Sequence, residues 1–202
     1  MRTQSQDPSS DIGKIVRLRD DGSIPPDNPF PRKAGYKSEI YSLGHRNPLG
    51  LTIHPVTGEL WSIEFGSRGG DELNRTQAGK NYGWIKTTHG TRYDGTPGGE
   101  PQPGMEEPVL FWVPSINPGN LTFYNGTKFP QWKNDLLIAT MTRCVLRVTF
   151  DEKGYPTGQE KMLTESKQRF RDARTGPGGY IYLLTDETLG SVLRMEPGNN
   201  SG

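Results

Sequence analysis

Cysteine is nearly missing from this 202-residue chain: Cys144 stands alone, so no disulfide can form within it and the redox compartment stays open. Set in the apolar stretch RCVLRV, it reads as a small buried hydrophobe rather than a nucleophile. Charge of one sign is not in excess either. With 24 Lys and Arg against 23 Asp and Glu the net charge is +1, which leaves no field to attract nucleic acid or an anionic membrane. No apolar run reaches the length of a membrane span. The opening MRTQSQDPSSD has no apolar signal-peptide core, so the sequence as written reads as soluble and without an export signal. Apolar residues are scarce, at 31% with a mean hydropathy of −0.75. A core is possible, but it is thin, and the fold is expected to need a partner.

What the chain has in quantity is glycine and proline, 26 and 17 residues, and they interrupt nearly every window long enough for an ordinary helix. The apolar residues between them alternate at period two. Three segments resemble one another: GKIVRLRDDG from Gly13, RCVLRVTFDEKG from Arg143 and GSVLRMEPGN from Gly190. Each alternates and then turns at an acid or proline followed by glycine, a strand with hairpin chemistry behind it. A second set, LTIHPVTGELWSIEF, LTFYNGTKFPQWKNDLLIATM and ARTGPGGYIYLLTD, reads as strand, turn and more apolar strand. Modules recurring at roughly 50 to 70 residues point to an all-β fold of radially repeated sheets, a β-propeller. Residues 11–197 supply about three blades, fewer than the four or more at which propellers close. The strand GKIVRL has no inner-strand module before it. An array of this size exposes strand edges, so the expectation is either the C-terminal portion of a longer protein or a chain that closes its ring as a homodimer. Residues 1–10 read as a disordered N-terminal segment and 198–202 as a flexible tail.

Five motifs carry a resemblance. GSIPPDNPF, GHRNPLGL, RGGDELNRTQAGKNYGW, FYNGTKFPQW and QRFRDARTGPGGYIYLLTDE occur in that order, as in the soluble pyrroloquinoline-quinone (PQQ) dependent aldose dehydrogenases of the glucose/sorbosone dehydrogenase family. The likeness runs from about residue 11 to 197, and the chain resembles the C-terminal half of that family's six-bladed propeller. It implies a periplasmic or secreted oxidoreductase that takes a hydride from C1 of an aldose sugar to the quinone, giving a lactone. Arg46 and Asn47 in GHRNPLG match the family's cofactor-binding pair. The chemistry is suitable, since Arg offers a planar donor fork to a quinone oxygen or carboxylate and Asn adds a donor and an acceptor. Tyr93 falls at another cofactor contact, where an aromatic can stack on the quinone or donate to it. Arg169 and Arg171 match a pair that meets the cofactor's carboxylates; two apart on a strand, they point to one face and Phe170 to the other.

For metal, the resemblance places Ca²⁺ in the loop around Asp71 and Glu72. Glu72 and Tyr82 lie at the family's calcium positions, and the carbonyls of Gly66 and Ser67 are available to a hard cation. Three departures oppose these assignments. Phe65 stands where the family has His or Gln, and Ser67 where a Pro is common. Met141 replaces a cofactor-binding lysine, leaving Arg143 as the nearby cation. The general-base histidine belongs to the half of the family's chain that this sequence does not match, so no catalytic residue is assigned. Of the three histidines, His45 reads as a loop residue and His54 as a strand end. His89 is a weak stand-in for the base. Three readings therefore stay open: half of a PQQ- and Ca²⁺-dependent dehydrogenase, inactive by itself; a non-catalytic half-propeller that self-associates as a binding module; or a gene fragment with no activity of its own.

Overall fold

Alternating side chains and glycine-rich turns produce the expected all-β chain. The computed structural model describes residues 2–198, and within them helix is confined to three short 3₁₀ turns, Arg2–Gln6, Pro130–Trp132 and Thr164–Ser166. Thirteen strands form four sheets. The chain divides into two compact units. One takes the described residues up to Pro48 together with Glu64–Ser115; the other takes Leu49–Ile63 and the described residues from Ile116 onward. The divisions fall within strands β3 (Pro48–Ile53) and β4 (Leu60–Glu64).

In the first unit β1 (Lys14–Val16) pairs antiparallel with β2 (Ile40–Leu43), and β5 (Asp71–Thr76) with β6 (Leu110–Trp112). Phe30, Ile40 and Leu43 form a small core against Tyr36. The long connection from β5 to β6 is tied to the end of β2. Leu43 receives Tyr82 N at 2.8 Å on its carbonyl, and Gly44 receives Trp84 N at 2.8 Å. Gly44 is required there: a Cβ would run into Asn81 and the Gly83 amide, and its φ is +78°.

Residues 2–10 depart from the disorder expected of them. Ser5 is buried, and its hydroxyl donates to the Trp84 carbonyl at 2.5 Å. The segment is polar, yet Ser5 and Gln6 commit their side chains to the Trp84 carbonyl and to Asn81, far along the chain.

The second unit holds a four-stranded antiparallel sheet, ordered β10-β9-β8-β7, and a three-stranded one, β11-β12-β13. Their strands are β7 (Pro118–Phe123), β8 (Leu136–Thr140), β9 (Cys144–Phe150), β10 (Pro156–Met162), β11 (Phe170–Thr175), β12 (Ile181–Thr185) and β13 (Val192–Met195). Strand β8, LLIAT, is buried on both faces and so reads as a continuous apolar run. Leu137, Ala139, Val145, Phe170, Ala173, Ile181 and Leu183 pack into one core with Tyr124 and Phe129. Strand β10 is exposed along most of its length and carries no apolar alternation, which is why the sequence hid it. Of the proposed tail 198–202, residues 199–202 lie outside the described residues.

Candidate functional site

Glu64 organises the first unit. It ends β4, a strand buried along most of its length, and its carboxylate is buried. Such a group needs donors, and it has four: Arg46 N at 2.7 Å, Asn47 N at 3.3 Å, His45 Nδ1 at 2.9 Å and Asn74 Nδ2 at 3.3 Å. The other ring nitrogen, Nε2, pairs with the Ser42 hydroxyl at 2.8 Å. The imidazole also stacks on Tyr82, centroids 4.6 Å apart. His45 lies in the connection between β2 and β3, the loop residue its neighbourhood in the sequence suggested, and it is fully buried there.

With its backbone fixed in this way, Arg46 directs its guanidinium outward. Nη1 donates to the Phe65 carbonyl at 3.1 Å and Nη2 to the Tyr93 hydroxyl at 2.5 Å. Phe65 thus contributes a backbone oxygen where its side chain has lost a polar group. Arg46 and Asn47 line a cavity of about 340 Å³ whose walls include Trp84, Tyr93, Arg2 and Ser5. Arg46, Asn47 and Tyr93 are brought together here. A planar anion fits such a wall, with guanidinium donors at its edge and aromatic rings at its face.

Arg46 and Trp84 also border a second, much smaller space of about 10 Å³, lined by Glu64, Glu72, Gly66, Gly70 and Tyr82. That is near the lower limit for one water-sized occupant. Burial first, and then the Glu64 carboxylate, push the Glu72 carboxyl well above its ordinary range. Asn74 donates weakly to both acids, at 3.3 Å to Glu64 and 3.5 Å to Glu72, and its own Oδ1 has no hydrogen-bond partner among the described residues. Two close carboxylates in a space of this size fit a hard cation, which removes their repulsion. Gly66 is fixed there sterically, since a Cβ would strike the Gly69 and Gly70 carbonyl oxygens.

The other members of this stretch are placed differently from the simple loop the sequence suggested. Asp71 opens β5 and acts as a clasp, accepting Gly66 N at 3.0 Å and the Ser115 hydroxyl at 2.6 Å. The Tyr82 phenol is engaged away from the acids: it donates to Arg75 O at 2.5 Å and accepts Gln77 N at 2.8 Å, while burial pushes its pKa upward. Ser67 is buried, its hydroxyl has no partner among the described residues, and it does not line the small space.

In the second unit Arg169 and Arg171 share one acceptor. Arg169 Nη2 reaches Asp186 Oδ2 at 2.6 Å, and Arg171 Nη2 and Nε reach Oδ1 at 2.9 and 3.2 Å. Phe170 between them is buried in the core. Asp186, just past β12, is fixed through its own amide to Arg169 O at 2.8 Å. Met141 Sδ accepts Arg169 Nη2 at 3.4 Å, so the cation beside Met141 is Arg169; Arg143 is exposed in a turn with φ +70°. One buried Arg169 donor, Nε, has no partner among the described residues.

His54 and His89 have local duties. His54 Nδ1 accepts the Val56 and Thr57 amides at 3.2 Å each, closing the turn before β4. His89 pairs with Glu107 at 3.1 Å and stacks on Phe111 with centroids 4.1 Å apart. The residues that sequence reasoning missed are Glu64, Ser42, Asn74 and Asp186. Only Glu64 carried a signal, an acid ending a buried strand.

A family model described as Glucose / Sorbosone dehydrogenase matches residues 1–194. The chain is 44% identical to the aldose sugar dehydrogenase YliI of Escherichia coli over 202 residues, covering 98% of this chain and 54% of that protein. Quinoprotein glucose dehydrogenase B of Acinetobacter calcoaceticus is 29% identical over 240 residues, with 91% of this chain and 49% of that protein covered. Among solved structures, the soluble aldose sugar dehydrogenase of E. coli in its apo-form matches with a TM-score of 0.93 at 43% identity, over 98% of this chain and 58% of that one. The PQQ-bound form of the aldose sugar dehydrogenase from Streptomyces coelicolor matches with a TM-score of 0.76 at 27% identity, over 97% and 55%. The chain spans about half the length of the curated relatives it matches.

Proposed function

The chain belongs to the glucose/sorbosone dehydrogenase family, and we propose that it is the cofactor-binding portion of a PQQ-dependent aldose dehydrogenase. The observation that carries this is Arg46, held by Phe65 O and Tyr93 at the wall of a 340 Å³ cavity with Asn47 and Trp84. Arg46, Asn47 and Tyr93 bind and orient a planar quinone, and we assign Arg169 and Arg171 to carboxylate recognition. PQQ, when bound, supplies the two-electron acceptor for sugar oxidation. Glu72, with main-chain oxygens of Gly66 and Tyr82, would hold Ca²⁺ and so offset the Glu64–Glu72 repulsion; Ser67, which the resemblance places with them, does not line that space.

Proton removal from the sugar C1 hydroxyl is not a task for the histidines of this chain. His45 is enclosed between Glu64 and Ser42, and His54 and His89 have the local partners described above. The base comes from elsewhere in the complete enzyme, and this chain by itself oxidises no sugar. Its sheets are blades of a propeller, completed by further blades of the same protein or by a second copy. Exposed Val192 on β13 and Phe111 on β6 suit such a partner.

The test is PQQ binding to the purified chain with Ca²⁺, followed by calorimetry and by Trp84-dependent fluorescence, together with dye reduction using glucose. Binding that Arg46→Ala abolishes, without dye reduction, is the expected result. No PQQ binding at all would refute the assignment, and dye reduction would mean that a base lies within these residues.

A further inference from the structure

The cavity beside Arg46 has one wall that none of the recognised motifs supplies. It comes from the polar residues that open the chain. Ser5 Oγ and Gln6 Nε2 both donate to Trp84 O, each at 2.5 Å, and Ser5 O accepts Gly44 N at 3.0 Å. Gln6 and Asn81 exchange side-chain amide bonds at 3.0 and 2.8 Å. Gly13 is part of the same fastening, because a Cβ there would strike Ser5. The segment is thus bound to the Trp84 loop over a sequence distance of 79 residues.

This anchoring sets Arg2 over Tyr93, its guanidinium carbon 4.4 Å from the ring centroid. Arg46 holds the same tyrosine by its hydroxyl. Tyr93 therefore has one guanidinium on its face and another at its edge. Neither guanidinium has a carboxylate partner among the described residues, in a chain whose net charge is only +1. The contrast with Arg169 and Arg171, which Asp186 neutralises in part, is direct. Two unpaired cations flanking an aromatic ring on one cavity form an incomplete electrostatic arrangement that an anion would complete.

We propose that Arg2 is a ligand-binding residue of this cavity, a second guanidinium that receives an oxyanion group of a planar, polyanionic aromatic ligand held at its other edge by Arg46. The inference rests on the reading of the cavity as a quinone site and extends it by naming a residue outside the five stretches that carry the resemblance. Tyr93 then acts as the spacer between the two cations, and Ser5 and Gln6 set the position of Arg2.

The experiment is a titration of PQQ into the full chain with Ca²⁺ present, at low and moderate salt, for the wild type, Arg2→Ala, Arg2→Lys and Arg46→Ala, with circular dichroism as the check on folding. Loss of one charge-assisted contact weakens binding by about tenfold, so Arg2→Ala should show that loss together with a shallower salt dependence. Arg2→Lys, which keeps the charge and loses the fork, should recover part of it. If Arg46→Ala loses affinity while Arg2→Ala binds as tightly as the wild type or more tightly, Arg2 is a cover and the inference fails, with the quinone reading intact. If neither variant loses affinity, the quinone reading fails and takes this inference with it. Should Arg2→Ala not fold, Arg2→Lys decides alone: unaltered affinity and salt slope overturn the proposal, and weaker binding in a folded protein supports it.

Discussion

Glu64 fixes Arg46 through the main chain: its Oε2 accepts the Arg46 amide at 2.7 Å, while Oε1 pairs with His45 Nδ1 at 2.9 Å. The carboxylate, not the arginine side chain, is what makes the Arg46-Asn47 turn rigid. Removing it leaves several buried donors without an acceptor. Glu64→Ala is expected to cost about 3 kcal/mol of stability, read from urea denaturation with the slope compared. Glu64→Gln, which keeps one acceptor, should cost less. A loss near zero for the alanine variant would show that these donors find water.

Calcium should stabilise the chain through Glu72. At about 100 times its dissociation constant an ion bound to the native state alone adds about 2.7 kcal/mol. The expected outcome is a rise in the unfolding midpoint of the wild type on adding Ca²⁺ and a much smaller rise for Glu72→Gln. An equal rise in both would place the ion away from the Glu64–Glu72 pair.

Asp186 gives the second unit an acid-sensitive contact. The hydrogen bond from Arg171, with the charges of both arginines, holds its carboxyl below the usual carboxylate range. A depressed pKa in the folded state means stability that is present above the unfolded value, about 3.9, and lost as pH falls below it. The stability difference between wild type and Asp186→Asn should therefore be full above about pH 5 and close as acid is added. A difference independent of pH would assign the effect to hydrogen bonding without charge.

Tyr124 is a polar hub inside the apolar core of the second unit. Its hydroxyl donates to Gly179 O at 2.6 Å and accepts the Lys128 and Phe129 amides at 2.9 and 3.0 Å. Tyr124→Phe keeps the ring and strands those three groups, a cost of about 2 kcal/mol. Thermal unfolding of the variant measures it; an unchanged midpoint would show that the turn at Lys128 relaxes onto solvent.

The legible parts of the fold share a trait. Strands β8, β9 and β12 carry dense apolar runs or alternation, and the turns after β9 and β12 carry glycine, so their chemistry is local. Strand β10 carries neither and was missed. In the second unit, Arg169 and Arg171 were readable as same-face neighbours from strand period, and the structure gives them one shared acceptor. Asp186, which supplies it, is one more acid after a strand when seen in sequence. Phe65 is instructive in the opposite direction: its side chain announces a lost contact, while its carbonyl accepts Arg46. Backbone groups are the same at every residue, so sequence cannot report which of them is used.

The sequence by itself determined what depends on near neighbours: strand and turn positions, the single buried thiol, and the motifs that carry the family resemblance. Tertiary structure alone decided that Arg2 and Ser5 wall a cavity, that His45 is fully buried, and that Glu72 shares one small space with Glu64. The physical reason is range. Dihedral preference and alternation act over a few residues, whereas desolvation and charge depend on which distant segments the folded chain brings within a few ångströms.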